Sequence, residues 1–169
     1  MKTQNFPIME EFLTIQGEGF YSGRPAYFIR LGGCDVGCVW CDVKESWDAE
    51  KHPIYSTEQI IDRVRNVDTD FIVLTGGEPA MYDLSEICTA LKAMNKTIAI
   101  ETSGVYPLKG QLDWYTFSPK KFKKPIPEAY HNANELKVVI YHKSDFRWAQ
   151  KHAEKVNQKC LLYMQPEWS

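Results

Sequence analysis

The chain has 169 residues, 44% of them hydrophobic and 25% charged, with a formal net charge of −2. That length suits one domain with a real core, and the near-neutral balance gives no electrostatic reason to expect nucleic acid or a membrane surface as a partner. No apolar run approaches the roughly 18 residues of a membrane span, and the N-terminal Met-Lys-Thr-Gln-Asn lacks a signal peptide's apolar core, so a cytoplasmic protein is expected.

In chain order, Tyr27–Leu31 reads as a first strand, followed at once by Cys34, Cys38 and Cys41. Ser56–Asn66 reads as a helix: Ser-Thr-Glu-Gln has the form of a capping box, and Ile60, Ile61 and Val64 share a face. Phe71–Thr75 has the short apolar run of a buried parallel strand. Asp83–Asn95 is a second helix, with Asp83 as its cap, and Thr97–Glu101 a third strand. Trp114–Phe117 and Leu136–Tyr141 read as a fourth and a fifth strand, separated by the Pro-rich stretch Lys123–Tyr130, which leaves little room for a helix. Ser144–Asn157 is a third helix and Cys160–Met164 a sixth strand. Six strands alternating with three helices predict an α/β fold, with parallel neighbours and right-handed crossovers. A partial, open barrel is favoured over a flat doubly wound sheet, although the pattern alone does not separate them.

The chemically pointed residues fall where the strands end. The cysteines follow the first, Gly76-Gly77-Glu78-Pro79 the second, Glu101-Thr102-Ser103-Gly104 the third, Ser118-Pro119-Lys120 the fourth and Gln165-Pro166-Glu167 the sixth. Parallel α/β folds bind ligands at the carboxyl ends of their strands, so these loops predict one pocket.

Three thiolates spaced C-x3-C-x2-C can hold three irons of a four-iron cluster, and with no fourth cysteine nearby one iron is left open for a ligand. Zinc is the competing metal, but it wants four ligands, and only Cys38 and Cys41 have its usual spacing. Trp40 could shield a cluster, stack on a purine or simply pack. Cys88 and Cys160 lie in apolar patterns and read as buried, inert thiols. Two glycines after a buried strand let backbone approach a ligand closely. The basic run Lys120–Lys124 reads first as a solvated loop. Arg30, a charge ending an apolar strand, needs a partner, either an ion pair or a ligand. Glu101 closes its strand facing the expected pocket, whereas Lys137 either snorkels or lines the barrel. The four histidines show no triad spacing and read as surface residues.

C-x3-C-x2-C with Gly-Gly-Glu-Pro resembles the radical S-adenosylmethionine (SAM) enzymes. More narrowly, Thr14-Ile-Gln-Gly-Glu-Gly19, Phe28-Ile-Arg-Leu-Gly-Gly-Cys34, Trp40-Cys-Asp42, Thr75-Gly-Gly-Glu-Pro79, Glu101-Thr-Ser-Gly104 and Ser118-Pro-Lys120 together resemble the 7-carboxy-7-deazaguanine synthase family. That resemblance implies a lyase of queuosine and 7-deazapurine biosynthesis. It would convert 6-carboxy-5,6,7,8-tetrahydropterin to 7-carboxy-7-deazaguanine with loss of ammonia. The cofactors implied are a [4Fe-4S] cluster and SAM, whose reductive cleavage yields a 5′-deoxyadenosyl radical. The resemblance further implies a homodimer and an electron donor of flavodoxin or ferredoxin type.

Carried over by residue, the resemblance gives Cys34, Cys38 and Cys41 to the cluster. Trp40, Asp42, Gly77, Ser118, Pro119, Lys120, Gln165, Pro166, Glu167 and Trp168 go to SAM. Ile15, Gln16, Gly17, Glu18, Arg30 and Thr75 go to the substrate, with Glu101, Thr102 and Ser103 as further pocket residues. The chain departs from the family in two places. Val43 stands where relatives carry a threonine that helps bind Mg2+, and valine has no oxygen to offer, so weak or no magnesium dependence is expected. Relatives also continue past Gln-Pro with a further helix and strand, so residues 1–169 are expected to form a single domain lacking them.

Two other readings share these residues. A glycyl-radical-enzyme activase has the same cysteine and glycine motifs but acts on a protein and would lack the Gln16-Gly17-Glu18 segment. A non-enzymatic electron-transfer module would need no ligand pocket at its strand ends.

Overall fold

The computed structural model describes residues 3–167. Six strands run parallel: β2 (Pro25–Leu31), β4 (Phe71–Gly76), β5 (Thr97–Thr102), β6 (Trp114–Phe117), β7 (Glu135–Ile140) and β8 (Leu161–Pro166). The expected parallel set is therefore present. Two further strands, β1 (Asn5–Ile15) and β3 (Ile54–Ser56), escape the sequence reading; β1 pairs antiparallel with β2 on one side and β3 on the other. The sheet order is β3-β1-β2-β4-β5-β6-β7-β8, with β3 and β8 at unpaired edges, so the barrel is open.

Helices α1 (Thr57–Val64), α2 (Ser85–Ala93), α3 (Pro127–Asn132) and α4 (Ser144–Ala153) complete the fold. The capping box forms as expected: Gln59 N–H donates to Ser56 Oγ at 3.3 Å, and Ser56 N–H donates to Gln59 Oε1 at 2.9 Å. The second helix starts later than expected. Leu84 is its N-cap, and Asp83 instead accepts from Ser85 N–H at 3.0 Å in the turn before it. The Pro-rich stretch does hold a helix, because Pro127 sits in its first turn, where a missing N–H costs nothing. His152 is a second correction: it is buried against Tyr130, Trp148 and Phe117, with Tyr130 Oη 2.9 Å from Nδ1. Burial pushes its pKa down to about 4.

Strand alternation divides the sheet into two faces. The outer face packs Ile72, Leu74, Ile98 and Ile100 against Ile60, Val64, Ile87 and Leu91 of α1 and α2. Burying each of these large side chains is worth about 1.5–3 kcal/mol. The inner face is layered. Ala26, Phe28, Phe71, Val73 and Ala99 form an apolar lower layer with Trp114 and Tyr21. One pleat further up, Arg30 pairs with Thr75 and Glu101 with Thr116, so a polar layer sits directly above the apolar one.

The β1–β2 hairpin is exposed at Leu13, Ile15 and Phe20, yet its tip turns back onto the sheet. Its tip folds under the barrel, where Phe20 stacks on Trp114 with ring centroids 4.9 Å apart and Tyr21 packs on Phe71 at 4.6 Å. Arg24 closes the base from outside, 4.4 Å over the Phe71 ring and paired with Asp70 at 3.0 Å.

Candidate active site

The cysteine loop begins where β2 ends and is fastened from both sides. Gly33 N–H donates to Ser46 O at 2.6 Å, and Cys34 N–H to Trp47 O at 3.1 Å. From β4, Gly77 N–H donates to Leu31 O and Glu78 N–H to Gly33 O, each at 2.9 Å. The two loops touch so closely that a Cβ on Gly77 would lie 2.3 Å from Gly33 O and 2.8 Å from Cys34 Cβ, which requires glycine. Farther out, Lys123 reaches Asp35 at 2.6 Å, and the Tyr106 hydroxyl also donates to Asp35.

Cys34, Cys38 and Cys41 are unpaired and line one cavity of about 450 Å³ at the carboxyl ends of the strands. Burial raises the Cys34 thiol and pushes Cys38 up to about 11, with the Lys120 ammonium pulling Cys38 the other way. Burial in turn lowers the pKa of Lys120, helped by repulsion from Lys137.

Glu78 is 1% exposed, and its carboxylate is saturated. It accepts from Ala80 N–H at 3.1 Å and Ser103 N–H at 2.8 Å, and from the hydroxyls of Thr102 and Ser103. It therefore bolts the end of β4 to the end of β5, a role that the sequence did not disclose.

The polar layer makes the floor of the cavity. Glu101 accepts from Gln16 Nε2 at 3.1 Å, Thr75 Oγ1 at 3.3 Å and Lys137 Nζ at 3.3 Å. Burial opposes its charge, but the Lys137 ammonium and these bonds outweigh burial and hold its pKa below the usual carboxylate value. Lys137 Nζ also lies 2.7 Å from Glu18 Oε2. Beneath is a second cavity of about 10 Å³, room for about one water, between Gln16, Glu18, Glu101, Trp114 and Glu135. Glu135 accepts from Phe20 N–H at 2.9 Å and Trp114 Nε1 at 3.3 Å, and burial raises its pKa.

Most of the sequence-predicted residues meet in the large cavity: Gln16, Gly17, Glu18, Arg30, Trp40, Asp42, Val43, Thr75, Gly77, Glu101, Thr102, Ser103, Ser118, Lys120, Gln165, Pro166 and Glu167, besides the three cysteines. Ile15 does not; it is 61% exposed on the hairpin. Pro119 is buried beside the cavity without lining it, and Trp168 lies outside the described residues. Lys137 lines the cavity, which resolves its two readings in favour of the barrel interior. Arg30 satisfies both of its own: it lines the cavity and is paired with Glu10 at 2.6 Å. Phe28, Ser46, Trp47 and Val139 join the lining without having been expected.

The donor set fits an iron–sulfur cubane better than a single ion. Among the described residues no three cysteine, histidine or acidic groups are placed to hold one metal ion, whereas a cubane asks each of three thiolates to bind a different iron. Coordination itself removes the thiol protons that burial retains.

Residues 28–133 match the family model described as the Radical SAM superfamily, the class of protein that this fold and loop define. The chain is 53% identical over 168 residues to 7-carboxy-7-deazaguanine synthase of Flavobacterium psychrophilum, covering 99% of this chain and 80% of the relative. It is 47% identical over 166 residues to the Synechocystis enzyme of the same name, covering 98% and 80%. The crystal structure of QueE from Escherichia coli superimposes with a TM-score of 0.88 at 30% identity, covering 96% of this chain and 84% of that one. The chain belongs to the 7-carboxy-7-deazaguanine synthase family of radical SAM enzymes.

Proposed function

We propose that this chain converts 6-carboxy-5,6,7,8-tetrahydropterin to 7-carboxy-7-deazaguanine with loss of ammonia, as a lyase of queuosine and 7-deazapurine biosynthesis. The observation that carries this reading is a trio of unpaired thiols at the rim of a cavity whose floor is a ring of polar side chains fixed by one another. Cys34, Cys38 and Cys41 would hold a [4Fe-4S] cluster. When bound, the cluster and SAM supply a carbon radical able to remove hydrogen from an unactivated position.

The chain's own task is to seat the two ligands and exclude water. Trp40, Asp42, Gly77, Ser118, Lys120, Gln165, Pro166 and Glu167 are the rim residues assigned to SAM, with Pro119 and Trp168 as flanking members. Arg30 keeps guanidinium donors beyond the one spent on Glu10, suited to a substrate carboxylate. Gln16, Gly17, Glu18, Thr75 and Glu101 provide the polar floor against which a pterin would lie, and Thr102 and Ser103 extend it. Val43 lines the cavity but offers no oxygen, so Mg2+ has a poor site there, and turnover is expected to be insensitive to EDTA. An electron donor of flavodoxin or ferredoxin type, a homodimer and a cytoplasmic setting complete the proposal. No helix among the described residues is long and apolar enough to cross a membrane.

The test is anaerobic reconstitution with iron and sulfide, reduction, and addition of SAM with and without the carboxylated tetrahydropterin. Substrate-dependent 5′-deoxyadenosine together with a deazapurine product is the expected result. A reduced, cluster-loaded protein that forms neither product overturns the reading.

A further inference from the structure

Lys137 is a buried cation that the reaction as proposed does not use. Its side chain is 9% exposed, and its ammonium lies 2.7 Å from Glu18 on the hairpin tip and 3.3 Å from Glu101 on the barrel wall. Those two carboxylates come from separate parts of the fold, Glu101 from the end of β5 and Glu18 from the tip of the β1–β2 hairpin. A third tie runs parallel to the first two. Gln16 donates its amide to the same Glu101 oxygen that Lys137 approaches, and its carbonyl accepts from Glu18 N–H at 3.2 Å.

A pterin's pyrimidine edge presents N–H donors, and a buried carboxylate accepts them strongly only while it is ionised. We propose that Lys137 is the positioning residue of the substrate floor, locking Glu18 to Glu101 and keeping Glu101 a charged acceptor for that donor edge. This rests on the pterin reading above. A lysine that merely filled space in the barrel would need no paired carboxylates, and its loss would leave the electrostatics of the floor unchanged.

The surrounding charges sharpen the point. Glu101 is faced across the small lower cavity by Glu18 from the hairpin and Glu135 from the base of β7. Arg30 on β2 lines the same cavity with one guanidinium N–H spent on Glu10, and Lys120 after β6 interacts with Glu101 from the rim while burial disfavours its charge. Glu78 fixes Thr102 and Ser103 and also acts on Lys120. Removing the Lys137 charge therefore leaves Glu101 among carboxylates, and its affinity for a proton rises.

The experiment uses reconstituted wild-type enzyme, Lys137→Arg and Lys137→Met. Equilibrium binding of 6-carboxypterin is followed by its own fluorescence from pH 5 to 9 with SAM present, alongside kcat and KM for the tetrahydropterin. Lys137→Met is expected to weaken binding about tenfold at pH 7.5, and to move the acid limb of binding upward by about one pH unit. KM should rise more than kcat falls, cluster absorbance should be retained, and Lys137→Arg should recover most of the affinity. Should Lys137→Met fail to fold, the pair Lys137→Met with Glu101→Gln, which leaves no stranded carboxylate at position 101, is expected to fold and to bind as weakly. Wild-type affinity and an unmoved pH profile in either charge-removing variant overturn the proposal for Lys137 alone. A wild-type enzyme that neither binds 6-carboxypterin nor turns over the tetrahydropterin brings down the pterin reading, and this inference with it.

Discussion

The loop that carries the cysteines and the hairpin tip that closes the barrel are both short, glycine-containing excursions from β2, yet they are held in different ways. Around the cysteines the bonds are largely backbone to backbone, Gly33 to Ser46, Cys34 to Trp47 and Glu78 to Gly33, with Asp35 held besides by Lys123 and Tyr106 and the thiols bonded to no other cysteine. At the base the side chains do the holding, through the Phe20–Trp114 stack, the Tyr21–Phe71 contact, Glu135 on Phe20 N–H and Lys137 on Glu18. The rim positions sulfur donors for something the protein itself does not supply, whereas the base is complete as folded. Damage at the rim should therefore cost function while sparing stability, and damage at the base should cost both.

The largest effect is expected from Cys38→Ala. Activity should fall to background and iron–sulfur absorbance should be lost after reconstitution, while urea unfolding shows a change of about 1 kcal/mol or less. A collapse of stability on this substitution would erase the distinction between the two regions.

Gly19→Ala probes the other side. Gly19 has φ +69°, and an added Cβ would lie 2.1 Å from a Glu135 carboxylate oxygen. The substitution should destabilise the fold by about 2–3 kcal/mol, combining left-handed strain with a displaced hydrogen bond. Urea unfolding monitored by tryptophan fluorescence measures it, and the variant that folds should still load its cluster.

The smallest effect is a pH dependence at Glu135. Burial raises the folded pKa of this carboxyl, so between the ordinary and the raised value the folded state holds a proton that the unfolded state has released. Its contribution to stability is present below the ordinary carboxylate value and fades as pH rises through the raised one. Glu135→Gln keeps an acceptor for Phe20 N–H without that titration. Thermal unfolding from pH 4.5 to 8 should show the variant gaining on wild type as pH increases. A gap that stays constant would mean that the base is held by packing alone. His152 runs the opposite way, its depressed pKa lowering stability as pH falls from about 6.5 toward 4, but it acts on both proteins and cancels from their difference.

Much of this was legible in the residues. Parallel strands buried on both faces read as apolar runs, so β4 and β5 declared themselves, and the chemistry at their ends marked the rim. What stayed hidden has specific causes. β1 mixes Phe6, Pro7 and Ile8 with Glu10 and Glu11 because its two ends meet different surroundings, so no single period survives. α3 was masked by Pro127, which belongs in its first turn. His152 sits in a polar-looking helix and is buried because Tyr130 and Phe117 pack on it from α3 and β6, beside Trp148 one turn earlier on its own helix. The ambiguity of Lys137 has the deepest cause. Where a strand is covered on both faces, hydrophobicity does not say which side is the barrel interior, and what does is the cavity that Lys137 and Val139 line together from one face of β7.

The tip that floors the pocket is a single uninterrupted stretch, Gln16 to Arg24, carried between β1 and β2 and anchored through Glu18, Phe20 and Tyr21. It is in effect an interchangeable cartridge. Grafting a different tip of matched anchor residues would offer the same radical-generating rim a new molecule to act upon, without disturbing the strands that bear it.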